Sequence, residues 1–311
     1  MEKQIKSATG ISRRTFIRGG IAAGVILSLD PLKVFAQENN GGVDVWVITS
    51  TDKARMMQKC MEIIKANGGF GNAKKVALKV NAGWDRAPEI GANTHPELVD
   101  GFLKGCAEAG IKEVILPEFT CHPANKTFVT SGILAAAEKY KAEIIDLGKD
   151  KKSFEKVKLD KAGSLKEAEV SNYFLNPDIA VVNMPVAKHH GGAGLTMAMK
   201  NWMGAVKDRG YWHKNDLHQC IADIATLIKP QWTIIDATRT MMDSGPQGPG
   251  KELKTPNMII ISKDQVAADA YTAKTLFPES TAAKAKYIQK AGEMGAGIAD
   301  LAKMKITKFE V

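Results

Sequence analysis

The 311-residue chain has only four cysteines, Cys60, Cys106, Cys121 and Cys220, and no two of them form a C-x-x-C pair. That spacing excludes a chelating zinc knuckle and a ferredoxin-type cluster motif. Aromatic residues make up 6% of the chain and do not interleave with a basic run, so no nucleic-acid surface is expected. The glycine–proline loop Ser244–Gly250 contains two prolines that lack N–H donors, and no Gly-Lys-Ser/Thr follows it, which excludes a nucleotide P-loop. The apolar stretch Gly19–Leu29 falls short of the roughly 20 residues a membrane-spanning helix needs.

The N-terminal pattern is an export address. Ser12-Arg13-Arg14-Thr15-Phe16-Ile17-Arg18 resembles the twin-arginine (Tat) signal, and the apolar stretch and a small-residue cleavage site, Val34-Phe35-Ala36, follow it. The expected organisation is a signal peptide over 1–36, a short linker over 37–42 and one α/β domain over 43–311. The expected partner is the Tat translocation machinery and the expected location the periplasm, with no stable membrane span after cleavage. Tat passengers are exported folded, often with a cofactor already inserted.

The formal charge is +9, and residues 1–36 carry +4 of it, leaving about +5 for the remainder. A mild cationic excess suits solubility and anionic small-molecule partners. Apolar content is 44%, ordinary for a globular chain that buries a sizeable core.

Strands and helices alternate after residue 43. Strands are predicted at Val43–Thr49, Lys75–Val80, 112–118, 143–147, Ile179–Met184, 232–236 and Met258–Ser262. Helices are predicted between them, one capped by Thr51-Asp52, one begun at His95-Pro96, one over about 215–228 and one capped by Asp264. Residues 148–175 are polar and poorly patterned, and the C-terminus is predicted helical or loose. This alternation implies an α/β fold: a mostly parallel sheet with helices on both faces, Rossmann-like and doubly wound. Ligands of such sheets sit beyond the carboxyl ends of the strands, where Asn81, Asp85, Glu118, Cys121, His122, Lys188, both adjacent histidines, Asp236 and Asp243 fall.

The central stretch is 179–204. It predicts a buried strand, a loop with Lys188, His189 and His190, and a turn, Gly191-Gly192-Ala193-Gly194, that opens a helix with Leu195, Met199, Trp202, Met203 and Val206 on one apolar face. Glycines feeding a helix N-terminus would offer free N–H groups to an anion. The candidate ligand-binding residues are therefore Lys188, Gly191, Gly192, Gly194, Thr196, Asn201 and Asn81. Lys200 and His190 are the candidate acid–base groups, because a desolvated lysine and an imidazole both transfer protons near neutrality. His189, His190, Cys121, His122 and Asp236 are the candidate donors for a transition metal. A structural turn with solvated His and Lys is the competing reading. Because His189 and His190 are adjacent, an extended backbone would point only one of them into a site.

KVALKVN (75–81), THPELV (94–99), VVNMPVAKHHGGAGLTMAMKNWMG (181–204), IADIATLIKPQWTIIDAT (221–238), GPQGPG (245–250) and KDQVAADAYTAK (263–274) together resemble the domain-of-unknown-function 362 family. Many of its members append a cluster-binding ferredoxin segment, whose cysteines are missing here, so an iron–sulfur cluster is disfavoured. The resemblance implies no particular reaction. Two readings stay open: an exported metal- or cofactor-dependent, redox-associated enzyme acting on a small anionic molecule, or a non-catalytic periplasmic binding protein for an anionic ligand or metal.

Overall fold

The computed structural model describes residues 35–36 and 42–311. The twin-arginine motif lies outside the described residues, as does nearly all of the signal and linker. Among the described residues no helix is long and apolar enough to cross a membrane.

A twelve-stranded sheet organises the chain. Along its main path the strands run Phe35–Ala36, Met304–Glu310, Val43–Thr49, Met258–Ser262, Trp232–Met241, Ile179–Met184, Lys75–Val80, Glu113–Glu118 and Glu143–Asp146. The last five are mutually parallel. Met258–Ser262 is antiparallel to both neighbours, so the sheet is mixed but mostly parallel.

Strand alternation sorts the apolar side chains onto two faces. Val45, Val47, Ala77, Ile115, Val181 and Ile235 join one core with helices Leu217–Leu227, Gln265–Leu276 and Tyr287–Glu293. Trp46, Ile48, Val76, Leu78, Val182 and Ile234 join the other with helices Lys53–Ala66, Pro96–Glu108 and Ile133–Lys139. Burying each such side chain contributes about 1.5–3 kcal/mol, and a one-residue slip would reverse both faces. The helix starts follow the local signals. Asp52 accepts from the N–H groups of Ala54 and Arg55, and Asp264 from those of Val266 and Ala267.

Four segments depart from the sequence expectation. Residues 186–190 form a strand rather than a loop, because Trp232–Met241 runs on past Asp236 and pairs with them. The glycine turn does not open a helix. It closes a hairpin between Val186–His190 and Gly194–Thr196, and the helix after it is the short Ala198–Asn201, continued as a 3-10 turn over Trp202–Ala205. The polar stretch near 160 holds a two-stranded hairpin, Phe154–Lys158 with Glu167–Ser171. The C-terminus ends in the strand Met304–Glu310, whose lysine-broken alternation MKITKFE becomes a strand only beside Val43–Thr49.

Candidate functional site

Strand Ile179–Met184 ends at Pro185, and the chain continues as Val186–His190 above the carboxyl edge of the sheet. Alternation along that extension puts Lys188 and His190 on one side and His189 on the other. Lys188 and His190 line a cavity of about 450 Å³ together with Asn81, Trp84, Glu118, Cys121, Thr196, Lys200, Asn201, Arg209 and His213. Seven of the sequence candidates thus meet there: Asn81, Cys121, Lys188, His190, Thr196, Lys200 and Asn201.

The floor is an ion pair. Lys79 Nζ lies 2.7 Å from Glu118 Oε2 and also donates to Val80 O (2.7 Å) and Asn201 Oδ1 (3.3 Å). Burial pulls Lys79 below the ordinary lysine pKa, and the neighbouring Glu118 acts against that pull. The second bond to Glu118 Oε2 comes from the Ala82 N–H at 3.1 Å. Gly204 makes room for this carboxylate, since a Cβ there would sit 1.9 Å from Glu118 Oε1. Asn201 lines the cavity, but its amide ties strand ends together by donating to Val80 O (3.2 Å) and Asn183 Oδ1 (2.8 Å).

The wall is cationic and has no carboxylate of its own. Lys188 is buried and donates to Asn81 Oδ1 at 2.8 Å and to the Ala92 carbonyl. Burial chiefly, with Lys200 and Arg239 adding to it, lowers its pKa to about 7. Among the described residues Lys200 reaches only the Met203 sulfur, at 2.8 Å, and burial lowers its pKa to about 8, with Arg209 contributing. Arg209 stacks over Phe119, 4.3 Å from the ring centroid, and donates to Phe119 O (2.8 Å) and Thr120 O (3.1 Å). Cys121 stands at the rim, exposed, with its Sγ 3.5 Å from Arg209. Thr196 Oγ1 is buried without a hydrogen-bond partner among the described residues.

His190 is neutral, for burial and the two lysines lower its pKa to about 3. Its Nδ1 accepts from the N–H groups of Gly192 and Ala193, both at 3.1 Å. The ring proton therefore sits on Nε2, and His190 is a donor in the cavity wall. His213, also lining the cavity, has a lowered pKa through burial and then Lys200.

The glycine cradle is closed. The Gly191 N–H goes to Gly245 O (3.3 Å), and the next two N–H groups go to His190. The short helix after the hairpin is already capped from inside the protein. Asp269, pushed up to about 7 by burial, accepts from Ala198 N at 2.7 Å and Met199 N at 3.0 Å. Gly191, Gly192 and Gly194 therefore shape the hairpin, and the N–H groups of Gly191 and Gly192 already have partners within the chain; at Gly194, with φ of +74°, a Cβ would also lie 2.7 Å from the Lys284 backbone.

The five metal candidates do not assemble. Among the described residues no three His, Cys, Asp or Glu side chains come together as a metal site. His189 points away and accepts from Gly245 N (3.1 Å), and His122 accepts from Asp85 N (3.2 Å) beside Trp84. Like His190, each uses Nδ1 as an acceptor, so a neutral ring carries its proton on Nε2 and offers no lone pair to a metal. Asp236 is fully buried, because its strand continues beyond it. It accepts from His95 N, Thr238 N, Thr238 Oγ1 and Arg239 and lies outside the cavity.

Lys79, Arg209 and Trp84 are cavity or floor residues that the sequence did not single out as a site. Only Lys79 carried a local signal, a charge inside the otherwise apolar run VALKV.

Residues 76–274 match the family described as Domain of unknown function (DUF362), and the chain belongs to it. No curated protein matches. Among solved structures, one from Thermotoga maritima is 12% identical with a TM-score of 0.44, covering 78% of this chain and 59% of the other. The match thus spans less than two thirds of that protein's length.

Proposed function

We propose that this DUF362 protein is an exported enzyme that binds a small anionic molecule in the cavity at the carboxyl edge of its sheet and acts on it with Lys200 and His190. One observation carries the proposal: Lys188, Lys200 and Arg209 surround a space whose lining carboxylate, Glu118, is engaged by Lys79. An anionic ligand would supply the missing counter-charge, which favours binding in a desolvated site.

Chemistry is favoured over simple capture. A binding protein gains most from fully charged lysines, whereas Lys200, lowered to about 8 and bonded to a sulfur, offers a fraction of free amine near neutral pH. Lys200 is then an acid–base group, and the Nε2–H of His190 a donor to developing negative charge. The histidine tautomers give no support to a metal-dependent version of this reading. Export rests on Ser12–Arg18.

Thermal unfolding of the full chain against formate, acetate, glycolate and phosphate tests the site. At least one should raise Tm, and Lys188→Met/Lys200→Met should abolish the rise. Indifference of the wild-type protein to all of them would remove the anion site. For export, Arg13→Lys/Arg14→Lys should hold the protein in the cytoplasm, and unchanged periplasmic delivery would remove that part.

A further inference from the structure

Lys200 differs from the other buried lysines in its partners. Lys79 donates to three oxygen acceptors and Lys188 to two, whereas among the described residues the Lys200 amine contacts only the Met203 sulfur. A thioether is a weak acceptor, so no hydrogen bond to oxygen holds this nitrogen as an ammonium. It shares a cavity with Thr196, whose buried hydroxyl has no hydrogen-bond partner among the described residues, and with the His190 ring, whose Nε2–H is a donor. A nucleophilic nitrogen, a hydroxyl and an N–H donor are therefore grouped beside the Lys188 amine, which its oxygen acceptors Asn81 and Ala92 hold as a donor.

We infer that Lys200 is a nucleophile that forms a Schiff base with a small carbonyl compound bearing a carboxylate. The inference rests on the small-anion reading of the cavity and adds to it a covalent role and a substrate class. Lys188 and Thr196 receive the carboxylate. The amine lone pair attacks the carbonyl carbon and the C–N bond forms. The carbonyl π pair moves to oxygen, where the His190 N–H supports the developing charge. The oxygen takes up a proton from solvent and the nitrogen gives one up, so a neutral carbinolamine results. Loss of its hydroxyl as water, with the remaining amine proton, leaves the C=N bond. Amine plus carbonyl gives imine plus water, and no oxidant or reductant enters.

The groups facing Lys200 are Lys188, His190, His213, Arg209, Cys121 and the Lys79–Glu118 pair. Burial and Arg209 free the amine, and Cys121 acts against them. Neutral amine should thus be abundant near pH 8, whereas an exposed lysine, with an ordinary value of 10.5, stays protonated there.

The test is reductive trapping of the full-length wild-type protein with glyoxylate or pyruvate and sodium cyanoborohydride, read by intact mass and peptide mapping. Acetate, which has no ketone or aldehyde, is the paired thermal-shift probe. The expected result is one adduct on Lys200, of the acid's mass less water plus two hydrogens. Its trapping rate should reach half its maximum near pH 8, acetate should compete with it, and Lys200→Arg should lose it. Wild-type mapping needs no variant to fold. Stabilisation by acetate with no Lys200 adduct, with adducts scattered over surface lysines, or with the adduct on Lys188 would overturn the nucleophile and leave the anion site standing. Absence of both stabilisation and adduct would overturn the two together.

Discussion

The floor and the wall of the cavity are both built on buried lysines, yet they are treated oppositely. Lys79 has Glu118 at 2.7 Å and two further oxygen acceptors, whereas Lys200 has a sulfur and a cationic neighbour. A buried charge without a counter-charge costs several kcal/mol unless it is neutralised. The fold resolves that cost internally at the floor and leaves it open at the wall. Where the protein completes its own pair the lysine is structural, and where it does not the lysine is available to a ligand.

The largest effect should come from breaking the floor. Glu118→Gln leaves Lys79 buried without its carboxylate and should cost about 3–5 kcal/mol in urea unfolding, with Lys79→Met restoring part of the loss. A cost near zero would mean that the pair is no keystone. Next comes the wall, where the sign is opposite. Lys188 and Lys200 have folded pKa values of about 7 and about 8, below the ordinary 10.5. Between those values the unfolded chain binds more protons, so their contribution makes stability rise with pH and fall again as pH drops toward 7. Lys200→Met should therefore be more stable than wild type at pH 7 by on the order of 3 kcal/mol and converge with it only above about pH 11, once the unfolded lysine has also lost its proton. A difference independent of pH would show that Lys200 is solvated in the folded state.

Gly204→Ala should push Glu118 aside and cost about 1–2 kcal/mol by overpacking, measured as a drop in the denaturation midpoint at constant slope. The smallest effect belongs to an exposed pair. Lys207 and Glu169 approach to 2.6 Å but are both about two-fifths exposed, so Lys207→Gln should cost less than about 1 kcal/mol. A larger loss there would erase the contrast between buried and exposed pairs.

Much of the frame is legible locally. Strand Lys75–Val80, strand Ile179–Met184 and the Asp52 and Asp264 caps are each written within a few neighbouring residues. The candidate site is only partly so. Lys188, His190 and Lys200 stand out because ionisable groups crowd an apolar stretch. Asp236 misleads because a strand-ending aspartate and a mid-strand one look alike until the pairing of Val186 with Asp236 is known. Arg209 carries no local signal, and it reaches the cavity because helix Arg209–Lys214 follows the 3-10 turn over Trp202–Ala205.

By itself the sequence determined the α/β alternation, the two apolar faces and the family, since hydrophobic period, caps and ordered motifs act over short range. Only the tertiary structure decided what each polar group faces. The glycine N–H groups and the histidine Nδ1 atoms look free in the sequence, but partners brought close by folding engage them. Lys79 finds Glu118 on the neighbouring strand, while Lys200 finds no oxygen acceptor among the described residues. Whether a charge is structural or reactive depends on what lies within about 3 Å of it, and that distance is set by pairing between strands far apart in the chain.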